Sequence, residues 1–112
     1  MYTMMEACRM TDMNYEALKF YCNQGLVPNV KRDKNNRRVF DEHDVAWIRD
    51  LVCLKKCGMS IQEMKDYLAL CLQGASTIPQ RQAMLARKQQ ALRAQIAELE
   101  DSAAYIDWKQ TF

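Results

Sequence analysis

Apolar residues along this chain follow three spacings. From Met4 to Leu72 they recur at helical intervals in short blocks; around Val30 to Phe40 they only bracket a polar turn; from Ile78 onward they fall seven apart. The blocks are separated by the few breakers present, three glycines and two prolines, so each breaker marks a boundary. The pattern predicts five helical segments and one hairpin.

The first helix opens with T3-MM-E6, a capping box in which Thr3 accepts a backbone N–H and Glu6 reaches back, and it runs to about Met10. After the turn T11-DM, Asn14 is a good N-cap for a second helix from Tyr15 to about Asn23, with Gly25 where a left-handed residue is wanted. Two short helices across so tight a turn form a helix-turn-helix candidate. Leu18 and Tyr21 share the inner face of the second helix, which leaves Tyr15, Glu16 and Lys19 pointing outward. Pro28 stops further helix, and the apolar ends Val30, Val39 and Phe40 around D33-KNN predict a two-stranded wing.

D41-EH-D44 resembles the start of the next helix, which runs to Gly58 with apolar residues (Val45, Trp47, Ile48, Leu51, Val52, Leu54) on nearly every side and reads as the spine of the core. S60-IQ-E63 is a second capping box, and it opens a helix carrying Met64, Tyr67, Leu68 and Cys71 on one stripe that stops near Gly74. In the last segment Ile78, Leu85, Leu92, Leu99 and Ile106 form a heptad seam with companion positions Gln82, Gln89, Ile96 and Ala103. A helix of about 30 residues is roughly 45 Å long. It is too long to bury that seam in one small domain, so a second copy of the same helix is the expected partner; folding back on its own core is the alternative.

Composition adds bounds. At 112 residues the chain has room for one domain, or a small domain with a long helix, and a formal charge of +2 gives no global argument for a nucleic-acid partner. The local distribution does. V30-KRDKNNRR-V39 sets Lys31, Arg32, Lys34, Arg37 and Arg38 against Asp33 alone at the hairpin tip; the ordinary reading of such a run is a solvated loop. Cysteine is present at an odd count (Cys8, Cys22, Cys53, Cys57, Cys71) with no signal-peptide pattern, which predicts a cytoplasmic chain with reduced thiols. No apolar run reaches the roughly 18 residues of a membrane span. One histidine, no glycine-rich phosphate loop and no nucleophile elbow argue against an enzyme.

The residues then carry a family resemblance. The opening Y2-TMMEACRM-T11-DMNYEA-L18-K-F-Y21-CNQ-G25-L-V-P28 resembles, in register as far as Val27, the MerR pattern Y-T-I-G-E-x-A-x-x-T-G-V-S-x-x-T-L-R-Y-Y-D-x-x-G-L-L-x-P. R32-D-K-N35-N-R-R38-V-F-D-E-H-D44 is similar to its wing motif R-D-x-N-G-Y-R-x-Y-x-x-x-D. Asp12 replaces a family glycine, Lys19 an arginine, and Asn36 and Arg37 a Gly-Tyr pair. The resemblance implies a mainly α bacterial transcription regulator: a winged helix-turn-helix domain over residues 1–74, then a dimerisation helix over 75–112 that pairs as an antiparallel coiled coil. It implies a homodimer on a pseudo-palindromic operator in double-stranded promoter DNA, distorting that DNA on induction so that RNA polymerase can engage.

On this reading the wing grips phosphates through Arg32, Arg37 and Arg38, while Asn14, Tyr15, Glu16 and Lys19 meet base edges or flanking phosphates. Tyr21 matches a family tyrosine that reaches the DNA backbone, although on residue type alone it and Phe20 are core candidates, and Glu16 has Lys19 as a possible ion-pair partner. Dimerisation falls to Ile78, Leu85, Leu92, Ile96, Leu99, Ala103 and Ile106. The chain ends just past the dimer helix, so no drug-binding domain is expected. Metal-sensing relatives carry cysteines at and beyond the dimer helix; none follows Cys71 here, and no metal or other cofactor is expected. C53-LKKC-G58 resembles the branch that answers aldehydes and nitrosative stress, which makes Cys53 the candidate sensor and Cys57, four residues on, its resolving partner. The competing reading of either thiol is a small core hydrophobe. A metal-responsive regulator, or a coiled-coil adaptor that has lost specific DNA binding, are the alternatives.

Overall fold

The computed structural model describes residues 1–112 as two compact units, Met1–Ala69 and Leu70–Phe112. In the first, β1 (Tyr2–Thr3) leads directly into α1 (Met4–Thr11). The reciprocal Thr3 and Glu6 bonds of the capping box are both formed. The helix ends at Asp12 in the left-handed region (φ +57), where its backbone N–H donates to the carbonyl of Cys8. Asn14 then caps α2 (Tyr15–Asn23), its Oδ1 accepting the Ala17 N–H at 2.7 Å.

The wing is β2 (Lys31–Arg32) and β3 (Arg38–Phe40), but it has three strands, not two, because β1 pairs antiparallel with β3 through Tyr2↔Phe40 and Thr3↔Val39, giving the order β1-β3-β2. A two-residue strand has no signature of its own. It exists because a partner edge is available, and here it ties the start of α1 to the wing.

The helix after the wing, α3 (Glu42–Lys56), starts two residues before Asp44. Asp41 is the cap and Asp44 the reciprocating residue, with N–H donations in both directions at 2.8 and 3.0 Å. Its burial is one-sided rather than all-round: Val45, Ile48 and Leu51 are fully buried, while Trp47, Val52 and Leu54 are half-buried. Trp47 donates its indole N–H to the Leu26 carbonyl at 2.6 Å. The Ser60 and Glu63 box opens α4 (Ile61–Leu72), from which Met64 and Leu68 join Ala7, Leu18, Leu26 and Phe40 in the core.

In the second unit a 3₁₀ turn (Ala75–Thr77) precedes α5 (Ile78–Lys109), a 32-residue helix with proline in its first turn. Thr77, Gly74 and Arg81 bond among themselves at its start. No residue of α5 is buried. No helix of the chain is long and apolar enough to cross a membrane.

Candidate nucleic-acid interface

The wing tip is built by its one acid. Asp33 Oδ1 accepts the backbone N–H groups of Asn35 and Arg37 at 2.9 and 3.0 Å, and the Asn36 N–H donates to the Asp33 carbonyl, with Asn36 at φ +61. Asparagine and aspartate tolerate the left-handed region because their short polar side chains compensate locally. At Asp12 and Asn36, where the MerR pattern has glycine, the backbone therefore still takes a glycine-like conformation.

The basic residues divide by what they touch. Lys31 forms an ion pair with Asp41 at 2.9 Å. That pair, together with the Asp44 backbone N–H, which acts more strongly, holds the Asp41 carboxyl down to about 2 and raises the Lys31 ammonium. Arg32 and Arg38 are direct cross-strand partners, and like charges facing each other across a ladder repel. Each is steadied by a neutral acceptor, Arg32 Nη1 on the Asn36 carbonyl at 2.9 Å and Arg38 Nη2 on Asn23 Oδ1 at 2.6 Å. The second bond links the wing to the end of α2.

Between the wing and the helix-turn-helix lies an open hollow of about 470 Å³, whose lining includes Thr3, Met5, Tyr15, Arg32, Arg37 and Arg38. It brings three candidate phosphate-binding residues and one α2 candidate to a single surface. Glu16 and Lys19 are exposed beyond it and do not pair with each other. Asn14 is occupied as a cap. Tyr21 is 6% exposed and belongs mainly to the core, where burial raises its phenol pKa. Phe20, expected inside on residue type, is 46% exposed on the outer face of α2. Helical spacing carried that signal, since Phe20 follows Glu16 by one turn on the side away from Leu18.

The seam residues of α5 are largely open: Leu85 is 39% and Leu99 70% exposed, Ile78, Ile96, Ala103 and Ile106 are likewise exposed, and Leu92 is half-buried. Cys53 and Cys57 are exposed, which overturns their reading as core hydrophobes; Cys8 is buried and Cys22 and Cys71 are half-buried. No group of three or more His, Cys, Asp or Glu side chains is placed to hold a metal ion.

Residues 2–71 match the profile of the MerR HTH family regulatory protein, and residues 45–108 match that of MerR, DNA binding. The chain belongs to the MerR family and is a DNA-binding transcriptional regulator of that type. It is 32% identical over 111 residues to an uncharacterized HTH-type transcriptional regulator of Haemophilus influenzae, covering 99% of this chain and 82% of that one. The HTH-type transcriptional regulator AdhR of Bacillus subtilis is 36% identical over 75 residues, which span 67% of this chain and 54% of AdhR. Among solved structures, HiNmlR, a MerR family regulator lacking the sensor domain and bound to promoter DNA, matches with a TM-score of 0.83 at 32% identity over 99% of this chain and 88% of its own. A MerR family regulator from Bacillus thuringiensis matches at 0.79 with 27% identity, over 96% of this chain and 95% of its own.

Proposed function

We propose that the chain acts as a homodimer on a pseudo-palindromic promoter operator, gripping phosphates with the wing, reading bases with α2 and distorting the DNA on induction so that RNA polymerase can engage. The observation that carries this reading is the hollow, where Arg32 and Arg38 face each other across the ladder with Arg37 and Tyr15 alongside. A phosphate between opposed guanidiniums relieves their repulsion and displaces condensed counterions, so binding should fall steeply with salt. The helix face bearing Tyr15, Glu16 and Lys19 then lies in the major groove, and the cost of bending the site, on the order of 1–6 kcal/mol, is offset by contacts that the bend permits.

The open seam of α5 supports the dimer, and its charges favour an antiparallel pairing. From Ile78 to Ala97 the helix carries Arg81, Arg87, Lys88 and Arg93 and no acid; from Glu98 to Lys109 it carries Glu98, Glu100, Asp101 and Asp107 against Lys109 alone. Antiparallel copies set the basic half of one beside the acidic half of the other, whereas parallel copies oppose like charges. A salt titration tests the DNA reading. Arg38→Ala should weaken binding to all duplexes alike and reduce the salt slope by about one unit, while Lys19→Ala changes sequence preference; an unchanged slope in Arg38→Ala rejects the wing as a phosphate grip.

The inducing input on this reading is Cys53. Its thiolate adds to the carbonyl carbon of an aldehyde, forming one carbon–sulfur bond while the C=O π bond opens and the oxygen takes up a proton from water, and exposure of Cys53 on α3 and of Cys57 at its C-terminal cap supports access. Promoter output after a short aldehyde, compared between wild type, Cys53→Ser and Cys57→Ser, checks it. Loss of induction in Cys53→Ser with DNA affinity retained is expected, and full induction in that variant removes Cys53 from the mechanism.

A further inference from the structure

The exposed face of α2 holds Tyr15, Glu16, Lys19, Phe20 and Asn23, and Phe20 is the one wholly apolar side chain among them. Glu16 and Phe20 are neighbours one turn apart on one flank, with Tyr15 and Lys19 paired in the same way on the other. Where the MerR pattern has tyrosine, Phe20 has no hydroxyl, so it has nothing to donate to a phosphate. Its nearest ring partner, Tyr21, lies at 6.4 Å between centroids and a 53° tilt, and Tyr21 belongs to the buried face while Phe20 does not. An aromatic ring left in water on a recognition helix recovers hydrophobic free energy only from an apolar group in the groove. Thymine is the one base that presents such a group there, its 5-methyl.

We infer that Phe20 is a specificity-determining residue that reads a thymine through its 5-methyl group. The inference rests on the placement of α2 in the major groove proposed above. Glu16 fits the same assignment, because an unpaired carboxylate in the groove accepts from the amino group of cytosine. The two side chains of this flank thus match the major-groove marks of the two pyrimidines, the amino group of one and the methyl of the other. Lys19, on the opposite flank, has the chemistry to meet a guanine.

The test removes a methyl group from the DNA. A preferred duplex is first selected from a random library with the full chain, and its thymines are then replaced one at a time by deoxyuridine, which deletes the methyl and keeps every hydrogen-bonding group. Wild type should lose about four-fold in affinity at one thymine position, the worth of one buried methyl. Phe20→Ala should bind more weakly and be indifferent to the same replacement; because the side chain is exposed, its circular dichroism should match wild type. Equal sensitivity of wild type and Phe20→Ala at every thymine, or no sensitive thymine in wild type, overturns the inference while leaving DNA binding standing. Failure of wild type to select any duplex overturns the underlying placement of α2 as well.

Discussion

Residues 1–69 and residues 70–112 are both mostly helical, yet they treat apolar surface in opposite ways. The first unit converges stripes from four helices and a small sheet on one centre, leaving Leu18, Leu26, Phe40, Val45, Ile48, Leu51 and Met64 without solvent contact. The second unit sets its apolar residues in a heptad row along α5, and none of them is buried. Capping and periodicity, the local rules that make a helix, operate in both. What differs is whether the rows of several elements meet, and in proteins most helical stability comes from such packing of an apolar face.

The largest way to break the contrast is in the seam. Replacing Leu92 and Leu99 with glutamate places charges in an apolar row, at several kcal/mol on pairing, and sedimentation should then report a monomer. Persistence of the proposed dimer would reject the seam. Leu51→Ala is the counterpart in the first unit: it should cost about 2–5 kcal/mol in thermal or denaturant unfolding and leave the proposed dimer intact.

A smaller effect sharpens how the first unit is tied together. Asp41 caps α3 and pairs with Lys31 of the wing, and its pKa falls from an ordinary 3.8 to about 2. A carboxyl depressed in the folded state contributes stability that is complete above its unfolded value and is lost as pH falls through its folded value. Unfolding followed from pH 5 to pH 2 should therefore show a loss of stability below about 4 that Asp41→Asn flattens. If both proteins respond identically, the cap and the ion pair contribute nothing measurable. The smallest expected effect is at the wing tip. Asn36→Gly relieves a positive φ and should stabilise by at most about 1 kcal/mol, read as a small rise in melting temperature.

The helices of the first unit were legible because their starts are written in neighbouring residues. Thr3 with Glu6, Asn14, and Ser60 with Glu63 each specify a boundary within four positions. Features that depend on distant partners were not. Strand β1 needs Val39 and Phe40 across a long stretch of chain, and nothing in Tyr2–Thr3 announces it. The apolar content of α3 hid which side faces inward, so the exposure of Cys53 and Cys57 could not be read from periodicity. Residue type argues for Phe20 in the core, whereas its helical spacing places it outward, where it lies. The charged wing was legible as a run but not as a ladder, and the opposition of Arg32 to Arg38 emerges only from the strand register.

The turn at Asn35 and Asn36 also bears on how the protein ages. An asparagine followed by glycine is the dipeptide most prone to close into a succinimide and hydrolyse to aspartate or isoaspartate, since the unhindered glycine backbone nitrogen is free to attack the side-chain carbonyl carbon and expel ammonia. The MerR wing motif places that dipeptide at its tip. In this chain Asn36 supplies the left-handed residue with a side chain attached, which hinders ring closure at Asn35. The change avoided is the arrival of a new negative charge, or of a kinked isopeptide, among Arg32, Arg37 and Arg38, so chemical durability of the basic wing tip accompanies the conformational strain at Asn36.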